Sequence, residues 1–182
     1  MLDMSKIRRS KILLQGPPKV GKTTVVARLV DLFREGDIPI EGFLTKELRE
    51  RGRRVGFAVR DVNGAEAIIA HQDYATGVRV SRYGVDVAAF ERVALPALTR
   101  ALESGGIVVV DEIGRMELAS VEFVKLVHEV MEQAVPVVAT VHVRDHPVTD
   151  ALLSRADVEI VQVTKANRDD LPARLVARLI TP

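Results

Sequence analysis

The chain contains no cysteine among its 182 residues. Disulfide bonds, thiolate metal sites and a cysteine nucleophile are therefore excluded. Neither sign of charge is in large excess, since the chain has 26 lysines and arginines and 25 aspartates and glutamates, for a net charge of +1. The overall charge therefore gives no reason to expect binding to nucleic acid or to an anionic membrane.

Long apolar runs are missing as well. The longest apolar runs are short, such as residues 107–110, and the first ten residues are not followed by the apolar h-region of a signal peptide. We therefore expect neither a membrane span nor a signal peptide, and we expect a cytoplasmic protein. Apolar residues nevertheless make up 47% of the chain. That fraction is enough for one globular domain over residues 1–182 with a sizeable core.

Alternating strand and helix patterns indicate an α/β protein. Strands are predicted at residues 11–15, 40–48, 54–62, 67–70, 107–110, 137–143 and 158–163. Helices are predicted at residues 21–34, 87–103, 121–133, 149–154 and 169–180, and residues 71–86 are expected to be mostly loop. Asp86 and Ser120 are expected to cap the helices that follow them. We predict a mostly parallel sheet flanked by helices, with an inserted antiparallel hairpin.

A phosphate-binding loop is indicated by residues 16–23, which match the pattern GxxxxGK[ST] between a predicted strand and helix. Backbone N–H groups of such a loop curl around phosphate oxygens at the positive end of the helix. Lys22 is expected to contact the β- and γ-phosphates, and Thr23 to ligate Mg²⁺. A chance glycine turn is the alternative. The nucleotide-binding candidates here are Gly16, Pro17, Pro18, Lys19, Val20, Gly21, Lys22, Thr23 and Thr24.

An acidic pair follows the predicted central strand and completes the pattern known as Walker B. The strand would deliver Asp111 to the sheet edge at which ligands bind in α/β proteins. Asp111 would hold Mg²⁺ directly or through water, and Glu112 would act as the general base on the attacking water. An acidic strand end that faces solvent is the alternative. The candidate residues that this pattern indicates are Asp111 and Glu112.

Four segments together resemble a known family. They are residues 16–24 (GPPKVGKTT), 42–49 (GFLTKELR), 111–118 (DEIGRMEL) and 163–168 (VTKANR). They resemble the small P-loop nucleoside triphosphatases of the thermophilic or cancer-related type. Residues 83–96 are similar to this family too, so the resemblance covers nearly the whole chain. The segment DEIGRMEL is far more specific than a phosphate loop alone.

The resemblance implies a RecA-like P-loop NTPase fold. It also implies Mg²⁺-dependent hydrolysis of several nucleoside triphosphates, ATP and GTP among them, to nucleoside diphosphate and phosphate. Nucleotide contacts are implied at the phosphate loop and along the predicted central strand, at Ile107, Val108, Val109, Val110, Asp111, Glu112, Ile113 and Gly114. Two residues depart from the family, because Lys19 stands where glycine is common and Arg115 where many members carry lysine. Arginine at position 115 keeps the charge but changes the donor geometry.

Polar residues on two other predicted strands are candidates for the cleft wall or for a γ-phosphate sensor. Thr45, Glu47 and Arg49 alternate along one strand and therefore share a face. The solvated face of a hairpin is the alternative for them. Thr140 and His142 share a face of the strand beside Walker B, where either could sense the γ-phosphate. A structural role is the alternative for this pair.

An arginine directed at the γ-phosphate can accelerate phosphoryl transfer strongly. Arg115 is the first candidate because it follows Asp111 closely, and Arg49 and Arg168 come next. A surface salt bridge is the alternative for each. Asn167 and Arg168 follow the last predicted strand and are candidates for contact with the base, with helix capping as the alternative for Asn167.

Two other functions stay open at this point. A nucleoside or nucleotide kinase shares the phosphate loop, although no long arginine-rich insert suggests a lid. A nucleotide-switched binding module would hydrolyse the triphosphate in the service of a partner. The basic run at residues 49–54 lacks interleaved aromatic residues, so binding to nucleic acid is weakly supported. The oligomeric state is left open.

Overall fold

The computed structural model describes residues 7–141 and 146–180, and within these ranges nine strands form one mixed sheet. The strands run in the spatial order β5-β6-β4-β3-β2-β7-β8-β1-β9. Neighbours from β2 to β9 are parallel, and neighbours from β5 to β2 are antiparallel. The strands are β1 (Lys11–Gln15), β2 (Ile40–Glu50), β3 (Arg53–Asp61), β4 (Glu66–His71), β5 (Val78–Val80), β6 (Tyr83–Val85), β7 (Ile107–Ile113), β8 (Val137–Val141) and β9 (Val158–Gln162).

Five helices of the described residues flank the sheet, and a short 3₁₀ turn at Glu117–Ala119 follows β7. The Asp86 side chain accepts from the Ala89 amide at 2.8 Å, and Ser120 accepts from the Phe123 amide at 3.0 Å. Both caps were predicted. The helices are α1 (Lys22–Glu35), α2 (Val87–Ser104), α3 (Val121–Glu132), α4 (Pro147–Leu153) and α5 (Leu171–Leu179). In the described part of the chain, no helix is long and apolar enough to cross a bilayer.

The central strand β7 shows how the core is divided. Val108 and Val110 belong to a buried cluster that includes residues of α2 and α3. Ile107 and Val109 belong to a second cluster that includes residues of α1 and α5. A strand that is buried on both faces needs an unbroken β-branched run, and residues 107–110 supply it. The fold is therefore α/β, with helices packed on both faces of the sheet.

The antiparallel part of the sheet is larger than a single hairpin. The expected hairpin is present as β2 and β3, and β4 adds to it. The expectation of loop for residues 71–86 was wrong, because β5 and β6 form a second antiparallel pair there. Each has three residues, which is too short for a period-two pattern to stand out. In the parallel part of the sheet, the last two residues of the strand predicted at 137–143 lie outside the described residues.

Candidate active site

The strand order brings four polar strand ends to one edge of the sheet. β8 lies between β1, which leads into the phosphate loop, and β7, which carries the acidic pair. β2 lies on the other side of β7 and is parallel to it. Because these strands are parallel, their carboxyl ends meet at the same edge, where ligands bind in open α/β sheets. The buried residues Ile107, Val108, Val109 and Val110 lie in the two core layers and carry Asp111 and Glu112 to that edge.

Two glycines and one lysine shape the phosphate loop. A Cβ atom on Gly16 would lie 2.7 Å from the Val163 carbonyl oxygen, so the close approach to the end of β9 requires glycine. Gly21 precedes α1 with φ of +113°, a region that side-chain-bearing residues rarely adopt. The buried Lys22 donates from Nζ to the Gly16 carbonyl oxygen at 2.9 Å. The ammonium group thus lies inside the loop that is expected to hold phosphate.

Lys19 occupies the tip of the same loop in a left-handed conformation. Its φ is 65°, and its side chain is exposed. Glycine adopts this region without strain, whereas a residue with a Cβ atom is disfavoured there. This geometry explains why glycine suits the position, and Lys19 is therefore a departure with a conformational cost. Its neighbours Pro17 and Pro18 are also exposed, while Val20 is buried beneath the loop.

Three threonine hydroxyls converge on the buried carboxylate of Asp111. Thr140 on β8 donates to Oδ1 at 2.8 Å, and Thr23 at the start of α1 donates to the same oxygen at 3.3 Å. Thr45 on β2 donates to Oδ2 at 3.3 Å. Burial raises the pKa of Asp111, and the three hydroxyl donors oppose that rise. Thr45 and Thr140 thus both contact the Asp111 carboxylate, whereas His142 lies outside the described residues.

Thr23 and Asp111 offer a chemically suitable pair for Mg²⁺. Both present oxygen atoms, which this cation prefers, and those atoms lie 3.3 Å apart. The described residues contain no group of three or more His, Cys, Asp or Glu side chains that could hold a metal by themselves. An ion at this place would take its remaining ligands from phosphate and water. That division is typical of Mg²⁺ in nucleotide sites.

Glu112 is half-buried beside Asp111. Burial and the negative charge of Asp111 raise the pKa of Glu112 to about 7, and the positive charge of Lys22 opposes the rise. A carboxyl group with a pKa near the working pH combines a sizeable ionised fraction with basicity. Glu112 is therefore suited to take a proton from a water molecule. Ile113 is buried behind it at the end of β7.

Glu117 is a buried carboxyl group that sequence reasoning left without a role. Its Oε2 accepts from the Gly114 amide at 3.1 Å. Burial and the charge of Glu112 raise the pKa of Glu117 to about 8. Its place in the motif DEIGRMEL could have marked Glu117 as a candidate site residue. Only the folded chain shows that Glu117 turns back toward Glu112.

Glu47 and Arg49 lie further out on β2 than Thr45. Glu47 pairs with Arg49 at 2.5 Å and with Arg54 at 2.8 Å. Burial alone would raise the pKa of Glu47, but the hydrogen bonds from Arg54 and Arg49 lower it overall. Arg49 also donates to the Gly52 carbonyl oxygen at the hairpin tip. Both charged residues therefore take part in a salt-bridge network in this structure.

The other arginine candidates lie in different surroundings. Arg115 is exposed and makes no hydrogen bond or ion pair with the residues that the structure describes. Arg168 lies against the phosphate loop, where its guanidinium donates to the Val20 carbonyl oxygen at 3.1 Å. Its Cδ atom would be 3.3 Å from a Cβ atom on Gly21. Arg168 therefore braces the loop in this structure.

Asn167 closes the turn that follows β9. Its side chain accepts from the Thr164 amide and donates to the Gln162 carbonyl oxygen, both at 2.8 Å. It does not cap α5, whose preceding residue is Asp170. Next to this turn lies an open cleft of about 510 Å³. The cleft is lined by residues of the phosphate loop and of this turn: Pro17, Pro18, Lys19, Val20, Val163, Thr164 and Lys165.

The sequence profile of a family described as NTPase matches residues 11–176. The chain is 39% identical to the nucleoside-triphosphatase THEP1 of Thermofilum pendens, over 92% of this chain and 93% of that protein. It is 34% identical to the cancer-related nucleoside-triphosphatase homolog of Bos taurus, over 92% of this chain and 95% of the relative.

Solved structures agree with these sequence matches. The crystal structure of THEP1 from the hyperthermophile Aquifex aeolicus superposes with a TM-score of 0.83 at 34% identity, over 93% of this chain and 98% of that one. The solution structure of a human cancer-related nucleoside triphosphatase gives a TM-score of 0.80 at 31% identity, over 93% and 96% of the two chains. The overall arrangement of helices and strands is therefore shared with these proteins.

Proposed function

The chain belongs to the NTPase family and is a nucleoside-triphosphatase, and on this basis we propose a specific mechanism: Mg²⁺-dependent hydrolysis with Glu112 as the general base. The proposal rests mainly on one observation. Residues far apart in sequence, Thr23 and Asp111, meet at 3.3 Å, and Glu112 follows Asp111 directly. The loop at residues 16–23, the oxygens of Thr23 and Asp111, and the Glu112 carboxyl group lie at one edge of the sheet, which supports the proposal.

The phosphate loop would bind the triphosphate through its backbone N–H groups and through Lys22. In this structure Lys22 donates to the Gly16 carbonyl oxygen, and we propose that it donates to the β- and γ-phosphates when nucleotide is bound. Thr23 and Asp111 would hold Mg²⁺, with Thr45 and Thr140 orienting the Asp111 carboxylate. Bound Mg²⁺ supplies neutralisation of the charge on the β- and γ-phosphate oxygens.

Glu112 would accept a proton from the attacking water. The water oxygen bonds to the γ-phosphorus, and the bond from that phosphorus to the β,γ-bridging oxygen breaks. Nucleoside diphosphate leaves with the electron pair of the broken bond. Glu112 then releases its proton to solvent, and inorganic phosphate departs. A pKa near 7 for Glu112 suits both proton transfers.

The substrates are proposed to include ATP, GTP and other nucleoside triphosphates. The open cleft beside the phosphate loop would take the base and ribose, with Asn167 and Arg168 of the adjoining segment as candidates for contact with the base. The described residues that line this cleft are prolines, valines, lysines and one threonine. None of these described residues carries a carboxylate, the natural acceptor for the ring and amino N–H groups of guanine, so this part of the lining favours no single base.

One assay tests the proposal against the two alternatives. Release of phosphate from ATP, GTP, CTP and UTP is measured with Mg²⁺ and with a chelator, each with and without nucleosides or nucleoside monophosphates. We expect diphosphate and phosphate in equal amounts, no need for an acceptor, and loss of turnover with the chelator. Phosphate transfer that requires an acceptor would indicate a kinase. Negligible release from the protein alone would favour a partner-dependent switch.

A further inference from the structure

The proposed mechanism assigns no task to Glu117, the buried carboxyl group in the turn after β7. We propose that Glu117 is a positioning residue, which sets the general base Glu112 in place by holding the backbone of Gly114. The proposal rests on the proposed function, because it presumes that Glu112 is the base.

The first support is the hydrogen bond between Glu117 and Gly114. The Gly114 amide donates to Glu117 Oε2 at 3.1 Å, and both groups are buried. Gly114 lies two residues beyond Glu112, at the point where β7 ends. The Gly114 carbonyl oxygen also accepts from the Leu118 amide at 2.9 Å. The carboxyl group of Glu117 therefore closes the turn through which the chain leaves the acidic pair.

The second support is the crowding of two carboxyl groups around Gly114. A Cβ atom on Gly114 would lie 2.7 Å from Oε1 of Glu112 and 3.0 Å from Oε2 of Glu117. Both distances are shorter than a real Cβ atom tolerates without movement of its neighbours. The Glu112 carboxylate thus uses space that exists only because residue 114 is glycine. Its position depends on that of the Gly114 backbone, which Glu117 holds.

The third support is electrostatic. No lysine or arginine of the described residues is paired with Glu117, and its surroundings contribute the negative charges of Glu112 and Asp111. These charges and burial hold the pKa of Glu117 at about 8. A buried acid beside two other acids destabilises a fold unless it is protonated. Such an arrangement is found more often at functional sites than in ordinary cores.

The same turn is anchored on its outer side. Met116 packs against the small buried cluster formed by Ala70, Tyr83 and Val85. Glu117 and Met116 are adjacent in the turn. Glu117 holds it on the side of Glu112, and Met116 packs it against the antiparallel part of the sheet. A turn fixed in this way gives Glu112 a rigid support, which general base catalysis requires.

Two variants of Glu117 separate positioning from a merely structural role. Glu117→Ala removes the acceptor of the Gly114 amide, and kcat should fall by about tenfold to 10²-fold, the scale of a small misplacement of a catalytic group. Nucleotide affinity measured by calorimetry should not change, because the phosphate loop is untouched. Glu117→Gln keeps an oxygen that can accept the bond and should restore most of kcat. Equal losses in both variants, or a loss of affinity instead of kcat, would overturn the proposal.

A third variant covers the case in which Glu117→Ala does not fold. Gly114→Ala leaves Glu117 in place but puts a methyl group where the two carboxyl oxygens lie. We expect it to lower kcat by a larger factor than it lowers nucleotide affinity. Wild-type kcat in a folded Gly114→Ala protein would contradict the proposed dependence of Glu112 on this backbone position.

A double-mutant cycle shows whether Glu117 acts through Glu112. When Glu112→Gln has already removed the base, adding Glu117→Ala should cause little further loss, because residues that act as a unit are not additive. A full additional loss would overturn the positioning role. The proposed function fails separately, if Glu112→Gln alone keeps wild-type turnover. A slow Glu112→Gln protein together with a fast Glu117→Ala protein would reject only the positioning role.

Discussion

The hydroxyl group of Thr140 donates a hydrogen bond of 2.8 Å to Oδ1 of Asp111, across the neighbouring parallel strands β8 and β7. Both residues are fully buried. The bond fixes the rotation of the carboxylate that we propose to hold Mg²⁺, and Thr23 and Thr45 complete its surroundings. Groups that orient a metal ligand commonly tune the affinity for the metal, although they do not touch it.

Thr140→Val is therefore expected to raise the Mg²⁺ concentration required for half-maximal phosphate release. Loss of an orienting hydrogen bond typically weakens a metal site by about 10-fold to 100-fold. Valine matches threonine in shape, and Thr140→Ser retains the hydroxyl group as the matched control. The measurement is a Mg²⁺ titration at saturating nucleotide. Superimposable curves for the valine variant and the wild type would remove Thr140 from the metal site.

Lys22→Ala should weaken nucleotide binding. The ammonium group is buried inside the phosphate loop, and a hydrogen bond to a charged partner contributes about 1.5–3 kcal/mol. The expected loss of ATP affinity is thus about tenfold to 10²-fold. Calorimetry measures it, with Lys125→Ala on the exposed face of α3 as the control. Unchanged affinity in the Lys22 variant would show that this lysine does not contact phosphate.

Arg115→Ala is expected to lower kcat more than it raises KM. Arg115 follows Glu112 closely in sequence, and its side chain is exposed and has no partner among the described residues, so its guanidinium is available to a ligand. A contact that forms mainly in the transition state appears in kcat. Arg178→Ala is a control, since Arg178 pairs with Glu159 at the start of β9, away from the phosphate loop. An unchanged kcat in steady-state kinetics would show that Arg115 is a surface residue without a part in hydrolysis.

Glu117→Gln should change how the stability of the nucleotide-free protein depends on pH. The pKa of Glu117 is about 8 in the folded chain and near 4.5 without its surroundings. Because the folded state favours the protonated acid, the contribution of Glu117 is complete below about pH 4.5 and is lost as pH rises through about 8. Glutamine does not titrate, and Asp111 and Glu112 are retained in both proteins.

Urea unfolding at several pH values between 4.5 and 8 tests this linkage. As pH rises, the free energy of unfolding of the Glu117→Gln variant should increase relative to that of the wild type. The two pH profiles would instead run parallel if Glu117 were ionised as easily in the folded chain as in the unfolded one.

Contiguous motifs made much of this site predictable from the sequence. The phosphate loop lies between one strand and the next helix, and Asp111 and Glu112 follow directly from a buried strand. Such motifs can be recognised from residues that are neighbours in the sequence. The strand pattern likewise predicted the parallel sheet and its hairpin, because apolar periodicity reports burial of each segment by itself.

Relations between distant segments were not predictable in the same way. Thr45 and Thr140 were candidates, but their meeting at Asp111 follows from the order β2-β7-β8, which local patterns do not specify. The role of Glu117 depends on its burial and on its turn back to Gly114. The three-residue strands β5 and β6 are held by pairing with their neighbours rather than by their own patterns.

Single-turnover hydrolysis by the Glu112→Gln variant tests directly whether Glu112 is the general base. Glutamine keeps the shape of the side chain and its hydrogen-bonding oxygen but cannot take a proton from water. We expect this variant to bind ATP with wild-type affinity and to cleave it at least about 10²-fold more slowly, the scale of general base catalysis. Cleavage at the wild-type rate by the fully loaded variant would show that Glu112 is not the base.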